Sequence, residues 1–370
     1  MAFPDALDAA TVVDVVAHAG TTHAGTPHWV LGALTLVGVA VAVGGWSLLR
    51  GERARLGAAA VGIGAVVTIA GLIGLVEVQI TPGATPEWTR WFPVVNTVAA
   101  IVVALGSLVV VRWKWPERPR YVGLGFLLAC WIGYPAMMPN EGIAHPLGYL
   151  LALAVPLSVA AILHVDGRAV VATALADLRS KAVSAAAFCL FAVFFVVSAG
   201  TVSVNPDVTP AIAGDGFVTV QRVVGPLVYW PAVEFYWPAA SLSGYFSPGT
   251  VILVGLLGGL VALNAGLVAR QLAAEGATDS PQAMFGTLAA SGATACCCCA
   301  PALYGVAGVL FGAAATPVYW AFMDPTSPVG GIFFAVSVIV LTGSVIRASH
   351  DPACRIPRES DAPRAADGAA

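Results

Sequence analysis

Charged side chains are scarce in this sequence. Asp, Glu, Lys and Arg make up 10% of its 370 residues, whereas 58% are hydrophobic. An ordinary soluble domain carries about 25% charged residues, so the composition excludes that class and indicates a membrane protein. The net charge of −3, with no basic stripe, also argues against nucleic acid as a partner.

Several chemical motifs are missing as well. The sequence has no Walker sequence, glycine-rich nucleotide loop, Ser-His-Asp arrangement or H-E-x-x-H. These absences argue against an enzyme, and any ATP-driven activity would need a separate subunit. Ion-coupled transporters place ionisable groups inside the membrane, and the apolar runs contain almost none, which disfavours a proton-driven pump. No pair of loop cysteines indicates a secreted disulfide framework.

Long apolar runs are what the sequence has instead. A transmembrane helix needs about 20 mostly apolar residues, and the runs between charged clusters predict nine such helices. The predicted fold class is therefore all-α. Residues 29–347 are predicted to form a polytopic helical bundle in the cytoplasmic membrane. The predicted spans are 29–49, 58–78, 92–111, 121–137, 146–164, 183–204, 249–270, 284–315 and 329–347.

The basic residues predict the orientation of these spans. Cytoplasmic loops carry an excess of Lys and Arg, and 15 of the 17 basic residues follow odd-numbered spans. Only Arg90 and Arg222 fall on the other side. The N-terminus is therefore predicted outside and the C-terminus in the cytoplasm.

Three parts lie outside the predicted spans. Residues 1–28 form an external N-terminal segment, and residues 348–370 form a cytoplasmic tail whose composition predicts disorder. Residues 205–248 form a long external loop rich in Tyr, Trp and Pro. Such aromatic side chains favour the headgroup level, so this loop is predicted to lie against the outer surface as an interfacial segment or lid. Asn96 and Asn264 are polar residues inside spans and are predicted to bridge helices.

Four consecutive cysteines stand within the eighth predicted span. They are Cys296, Cys297, Cys298 and Cys299, and all four are candidate metal ligands. At about 1.5 Å per residue they fall near the middle of the bilayer. Pro301 has no N–H for the carbonyl of Cys297, so the helix is predicted to be kinked or broken at this point. Transporters build their sites at discontinuous helices near the midplane.

The spacing of these thiols indicates which metal suits them. Cys296 and Cys299 share one helix face at i and i+3, whereas all four cannot converge on one tetrahedral zinc. Two thiolates suit a soft ion with few ligands, which makes Cu(I) the candidate cofactor or cargo and Hg(II) its rival. Further soft or borderline donors on the predicted outer side are Met137, Met138 and His145.

The stretch ACCCCAPALYGVAGVLFG resembles the cysteine-pair helix of mercuric transport membrane proteins, in which a vicinal pair takes part in passing the metal. The resemblance covers one of the nine predicted spans and no whole-chain family is recognised. It implies that Cys296 to Cys299 have a corresponding metal-relay role.

Three functions therefore remain open. The first is a permease or relay for a soft metal ion, with the metal and a possible energising subunit as partners besides the lipid bilayer. The second is a membrane thiol-disulfide oxidoreductase using the C-x-x-C formed by Cys296 and Cys299, whose reactivity would need a lowered thiol pKa. The third is a non-catalytic membrane subunit of a larger transporter or respiratory complex. In that case the cysteines only pack, since Cys is among the most buried residue types.

Overall fold

The chain folds into a bundle of long helices with a small antiparallel sheet at one end. The computed structural model describes residues 22–23, 26–49, 54–77, 85–138, 145–204, 216–225, 227–240, 242–274, 307, 315–324 and 326–348. The helices within these ranges are α1 His28–Leu49, α2 Ala54–Glu77, α3 Phe92–Lys114, α4 Pro119–Met137, α5 Pro146–Asp166, α6 Arg168–Ala174, α7 Leu178–Ser198, α8 Pro248–Leu253, α9 Gly259–Ala274, α10 Thr316–Met323 and α11 Pro328–Ala348.

Shorter elements complete the described chain. A 3-10 turn, Glu87–Trp91, leads into α3, and a π-helical turn, Val254–Gly258, joins α8 to α9 as one continuous rod. The strands are β1 Thr22–His23, β2 Thr26–Pro27, β3 Val202–Val204, β4 Phe217–Val224, β5 Tyr229–Trp237 and β6 Leu242–Phe246, and a second 3-10 turn, Pro238–Ala240, follows β5.

Seven helical stretches in the described residues are long and apolar enough to cross a membrane. They are Trp29–Leu48, Leu56–Leu75, Glu87–Lys114, Pro146–Asp166, Leu178–Ser198, Pro248–Arg270 and Pro328–Ala348. Seven of the nine predicted spans coincide with them. The predicted fourth span is helix α4, which falls outside the seven, and the predicted eighth span, 284–315, lies outside the described residues apart from Ala307 and Ala315.

The outer surface of the bundle is apolar. Leu36 of α1 is 71% exposed and Leu157 of α5 is 67% exposed. Water would penalise such surfaces, because burying an apolar side chain contributes about 1.5–3 kcal/mol, whereas lipid tails accommodate them. The chain is therefore an integral, multi-pass helical membrane protein in contact with lipid.

Helix α4 lies at the centre of the bundle although it is one of its shorter helices. Leu128, Ile132 and Tyr134 are all buried there. Trp131 stacks on Phe334 of α11 with ring centroids 4.2 Å apart, which joins two of the most buried helices. The bundle core consists mainly of residues from α4, α5, α7 and α11.

Helices α1 and α2 form a peripheral hairpin held together by small residues. Gly38 lies against the backbone of α2, where an added Cβ would stand 2.9 Å from the carbonyl oxygen of Gly64. Gly64 in turn lies against the backbone of Ala42 and the carbonyl of Gly38. Small residues allow this close approach of membrane helices, so a larger side chain at either glycine would separate the pair.

Two ends of the bundle are distinguished by their contacts. At one end, here called the arginine end, Arg120 and Tyr121 of α4 contact Asp166 of α5, and Arg270 of α9 donates to the carbonyl of Thr173 at 3.0 Å. The other end carries the strands and is called the sheet end. The hydroxyl of Tyr149 in α5 donates there to the carbonyl of Tyr229 in β5.

The sheet corrects the prediction of a wholly helical fold, and three of its four strands lie within the predicted external loop, 205–248. Its strand order is β3-β6-β5-β4, with every neighbouring pair antiparallel. The segments FVTVQRVV and YWPAVEFYW are rich in β-branched and aromatic residues, which favour strands. The predicted sixth span, 183–204, is also corrected, because α7 ends at Ser198 and β3 begins at Val202.

The sheet packs against the helices through one side of β5. Trp230 and Ala232 are buried, and Trp230 packs edge-on against Tyr149 of α5 with centroids 4.9 Å apart. The opposite face of the β4–β5 pair is apolar and exposed, since Val218 and Val220 of β4 are each 74% exposed. Direct partners across antiparallel strands share a face, which places Val220 beside Val233 of β5.

The turn between β4 and β5 closes over the helices. Val228 is 1% exposed and lies against Gly148 of α5, where an added Cβ would also stand 2.7 Å from the hydroxyl of Tyr134. Leu227 has a φ of 68°, a left-handed conformation that bulky residues rarely adopt. Its side chain packs against the bundle core, which offsets the backbone strain.

Candidate functional site

The cysteines predicted to carry the chemistry lie outside the described residues. They are Cys296, Cys297, Cys298 and Cys299. The predicted kink at Pro301 lies outside the described residues too. The metal-ligand role of all four thiols therefore stays a prediction from the sequence.

The three other predicted donors are described by the structure. Met137, Met138 and His145 belong to the end of α4 and to the residue just before α5, so the fold brings them to the sheet end of the bundle. Among the described residues no group of three or more His, Cys, Asp or Glu side chains is arranged to hold a metal ion.

The two methionines occupy different environments at the end of α4. Met137 is 58% exposed. Met138 is half-buried and packs against the bundle core, and its N–H closes the helix by donating to the carbonyl of Tyr134 at 3.1 Å. The thioether of Met137 is thus the more accessible soft donor, while Met138 also serves packing.

His145 has a structural role that the sequence did not indicate. It caps α5, because its Nδ1 accepts a hydrogen bond from the N–H of Leu147 at 3.2 Å. A side chain that accepts from an early N–H of a helix satisfies one of its unpaired donors. Only Nε2 of this imidazole remains available to another partner.

An open cleft of about 540 Å³ lies at the sheet end, and none of these three donors is among its lining residues. It runs between the 3-10 turn before α3, the end of α4 and the α10–α11 loop. Pro135, inside α4, has no N–H for the carbonyl of Trp131, and it forms part of the cleft wall. The lining residues are Thr85, Pro86, Glu87, Thr89, Arg90, Pro93, Asn96, Pro135, Asp324 and Thr326.

Sequence reasoning missed this cleft as a site. Glu87 and Asp324 are far apart in the chain, and each on its own resembles a solvated loop carboxylate. Asn96 was predicted to bridge helices, but its Nδ2 donates to the carbonyl of Thr326, which lies in the α10–α11 loop, at 2.8 Å. Only the folded arrangement brings the two carboxylates and the amide to one cavity.

The arginine end has a well-connected ion cluster. Arg120 makes a two-pronged contact with the carboxylate of Asp166, and the hydroxyl of Tyr121 donates to the same carboxylate at 3.0 Å. Arg118 lies 3.9 Å from it and also donates to Tyr121. Both oxygens of Asp166 are thereby engaged, so the cluster fixes the ends of α4 and α5.

A second carboxylate at this end caps a helix. Oδ1 of Asp177 accepts from the N–H of Ser180 at 2.7 Å at the start of α7, and its other oxygen lies 3.9 Å from Nη1 of Arg270. The hydrogen bond from Ser180 lowers the pKa of the Asp177 carboxyl below its ordinary value of 3.8. Together with Arg270 this residue links α7 to α9.

Inside the bundle one buried amide links two helices. Asn264 of α9 is fully buried, and its Nδ2 donates to the carbonyls of Leu260 at 2.8 Å and of Leu341 at 3.3 Å. This confirms the predicted bridging role of Asn264. Hydrogen bonds of this kind join membrane helices.

Comparison with protein-family models, with curated proteins and with solved structures finds no match to this chain. Its class therefore follows from the fold itself. The apolar helices and their exposed surfaces define a multi-pass integral membrane protein.

Proposed function

We propose that the chain is a permease of the cytoplasmic membrane that passes a soft metal ion, Cu(I) or Hg(II), through Cys296 to Cys299. The observation that carries this proposal is the run of four adjacent thiols with Pro301 just beyond it. Soft thiolates select soft metals, and a proline at this position interrupts the helical hydrogen bonding. The proposed metal-binding site therefore coincides with a predicted break in the eighth span.

The positions of the described neighbours support a mid-membrane location for the thiols. Arg270, near the end of α9, contacts Thr173 and Asp177 at the arginine end. Thr326, just after α10, is bonded to Asn96 at the sheet end. The cysteines stand about midway in sequence between these two points, as the proposed eighth span requires.

The orientation and the count of nine spans belong to the same proposal. Among the described basic residues, Arg90 and Arg222 lie in elements at the sheet end, while the others lie in elements at the arginine end. The positive-inside tendency then makes the arginine end cytoplasmic. A reporter fused after Arg347 should report cytoplasm and one inserted within 205–215 should report the outside. Identical compartments for both would overturn the nine-span topology.

Metal binding is tested by changing the two cysteines that share a helix face. The variant C296S/C299S replaces soft sulfur with hard oxygen at nearly constant size, so Cu(I) binding should be lost while folding survives. The matched control is C130S/C189S, which removes two isolated, exposed thiols. Cu(I) stoichiometry is measured on the purified protein under anaerobic, reducing conditions, with monodispersity checked for each variant.

The outcomes separate the three candidate functions. Loss of Cu(I) in C296S/C299S but not in C130S/C189S supports the metal permease. No bound metal, but reversible loss of two free thiols on mild oxidation that C296S/C299S abolishes, would support a thiol-disulfide oxidoreductase. If neither behaviour is observed, the remaining candidate is a membrane subunit whose cysteines only pack.

A further inference from the structure

Two arginines converge on one carboxylate at the arginine end of the bundle. From this convergence we propose that Arg118 and Arg120 bind the phosphate group of an anionic phospholipid. The inference goes beyond the proposed metal transport and is independent of the cysteine block, since it depends only on described residues of the α3–α4 turn and of the adjoining ends of α3, α4 and α5.

Hydrogen bonds fix the positions of the two guanidinium groups. Arg120 donates from Nε to Oδ2 of Asp166 at 2.6 Å and from Nη2 to Oδ1. Arg118 donates from Nη1 to the hydroxyl of Tyr121 at 3.0 Å, and its Nε lies 3.9 Å from Oδ1 of Asp166. Two positive charges are therefore held beside one negative charge, which leaves the cluster with one surplus positive charge.

The cluster presents its arginines outward and its carboxylate inward. The side chains of Arg118 and Arg120 are 26% and 35% exposed, whereas that of Asp166 is 8% exposed. A guanidinium has five N–H donors, and Arg120 uses two of them on Asp166 and makes no other hydrogen bond among the described residues. Its remaining donors can bind an acceptor from outside the protein. Phosphate oxygens suit them, because they accept charge-assisted hydrogen bonds in the geometry of the guanidinium fork.

The rest of the α3–α4 turn is basic and aromatic. Residues 112–121 contain four basic side chains and one acidic side chain. Lys114 at the end of α3 is exposed, and its ammonium lies 5.9 Å from the centroid of the Trp113 ring. Trp115 is 41% exposed and packs edge-on against Tyr121 with centroids 5.9 Å apart. Tryptophan favours the headgroup level, and basic clusters beside a membrane helix attract anionic lipids.

The apolar surface of the adjoining helices favours a lipid over a water-soluble anion. Val165, next to Asp166 in α5, is 60% exposed, and Val109, near the end of α3, is 65% exposed. Acyl chains can cover such side chains while the phosphate reaches the guanidinium groups. A phosphodiester carries one negative charge, and its two unesterified oxygens only accept hydrogen bonds. It therefore complements both the surplus charge and the donors of the cluster.

Native mass spectrometry of the purified full chain in detergent tests the proposal, because it counts bound lipids and distinguishes them by mass. The protein is titrated with an equimolar mixture of phosphatidylglycerol and phosphatidylcholine that have identical acyl chains. The wild type should bind the first phosphatidylglycerol about fivefold more tightly than phosphatidylcholine. Equal affinities for the two lipids would overturn the proposal.

Two variants test the guanidinium groups themselves. R120Q/D166N removes the donors of Arg120 without changing the net charge, and the two new amides can still bond to each other. Arg118→Gln keeps the pair of Arg120 and Asp166, so it decides the case if the double variant does not fold. Each variant should lower the affinity for phosphatidylglycerol about fivefold, with monodispersity and the thermal midpoint measured alongside.

The matched control is Arg179→Gln, which removes an exposed positive charge at the same end of the bundle. Its affinity for phosphatidylglycerol should stay within about twofold of the wild type. An equal loss of affinity in Arg179→Gln and Arg118→Gln would show that only the overall charge matters and would overturn the proposal. Unchanged affinity in folded Arg118→Gln would overturn it as well.

Free phosphate offers the same oxygens without acyl chains. Equilibrium dialysis of radiolabelled inorganic phosphate against the protein in phosphatidylcholine nanodiscs should therefore show no saturable binding. Saturable binding of the free ion that Arg118→Gln abolishes would make that ion the ligand and would overturn the assignment of a lipid.

Discussion

Ser344 of α11 donates its hydroxyl proton to Oδ1 of Asn264 of α9, in the buried interior of the bundle. The same hydroxyl lies 2.8 Å from the carbonyl of Leu341, to which it can turn if the amide is removed. Asn264 thus joins two membrane helices through both ends of its side-chain amide.

Asn264→Leu should lower the free energy of unfolding by about 1 kcal/mol, the size measured for hydrogen bonds between membrane helices. Ser344 keeps an acceptor at Leu341, so no hydroxyl is stranded. Unfolding in detergent is the measurement. The control is Thr97→Val, whose exposed hydroxyl bonds only within its own helix, with an expected change within about 0.5 kcal/mol. Equal effects of the two changes would contradict an interhelical role for Asn264.

The backbone conformation at Leu227 predicts which of two substitutions at this position gives the more stable protein. Leu227→Gly and Leu227→Ala both lose packing against the core, but only glycine relieves the strain of a φ of 68°. The glycine variant should therefore be about 1 kcal/mol more stable than the alanine variant. Thermal unfolding of both proteins measures this difference, and a more stable alanine variant would rule out the strain.

The two tryptophans of β5 should respond differently to quenchers. Trp230 is shielded by the protein itself, whereas Trp237 is 63% exposed. Trp230→Phe should leave the fraction of fluorescence quenched by acrylamide or by brominated lipid almost unchanged.

The apolar face of the sheet is proposed to contact the membrane surface, so Trp237→Phe should remove a lipid-quenched component. Protein in detergent micelles without brominated chains provides the reference. If acrylamide quenches Trp237 in the lipid-embedded protein as strongly as it quenches free tryptophan, this face is not covered by lipid.

The cap at Asp177 predicts a stability change in acid. The folded-state pKa of Asp177 is lower than its unfolded value, so the folded state favours the charged carboxylate. Its contribution is complete above the ordinary pKa of 3.8 and is lost as the pH falls below that value. Asp177→Asn keeps a good capping side chain without the charge. Thermal midpoints from pH 6 down to about pH 3 should fall less for this variant than for the wild type, and parallel curves would exclude a contribution from Asp177.

Asn264 was predictable as a helix bridge because a polar amide inside an apolar run must find a partner in the absence of water. The cleft at the sheet end was not predictable. Glu87, Asn96 and Asp324 belong to segments that meet only when α3 packs beside the α10–α11 loop, and no local pattern in the sequence records that meeting.

The sequence alone determined that this is a helical membrane protein and where seven of its spans lie. Length and apolarity are local properties, and a bilayer forces a long apolar segment to satisfy its backbone hydrogen bonds within a helix. Only the tertiary structure decided that α4 is central, that residues 202–246 contain a sheet and that His145 caps a helix. Those features depend on pairing between distant strands and on packing between helices, and such long-range contacts are set by the whole chain rather than by any one segment.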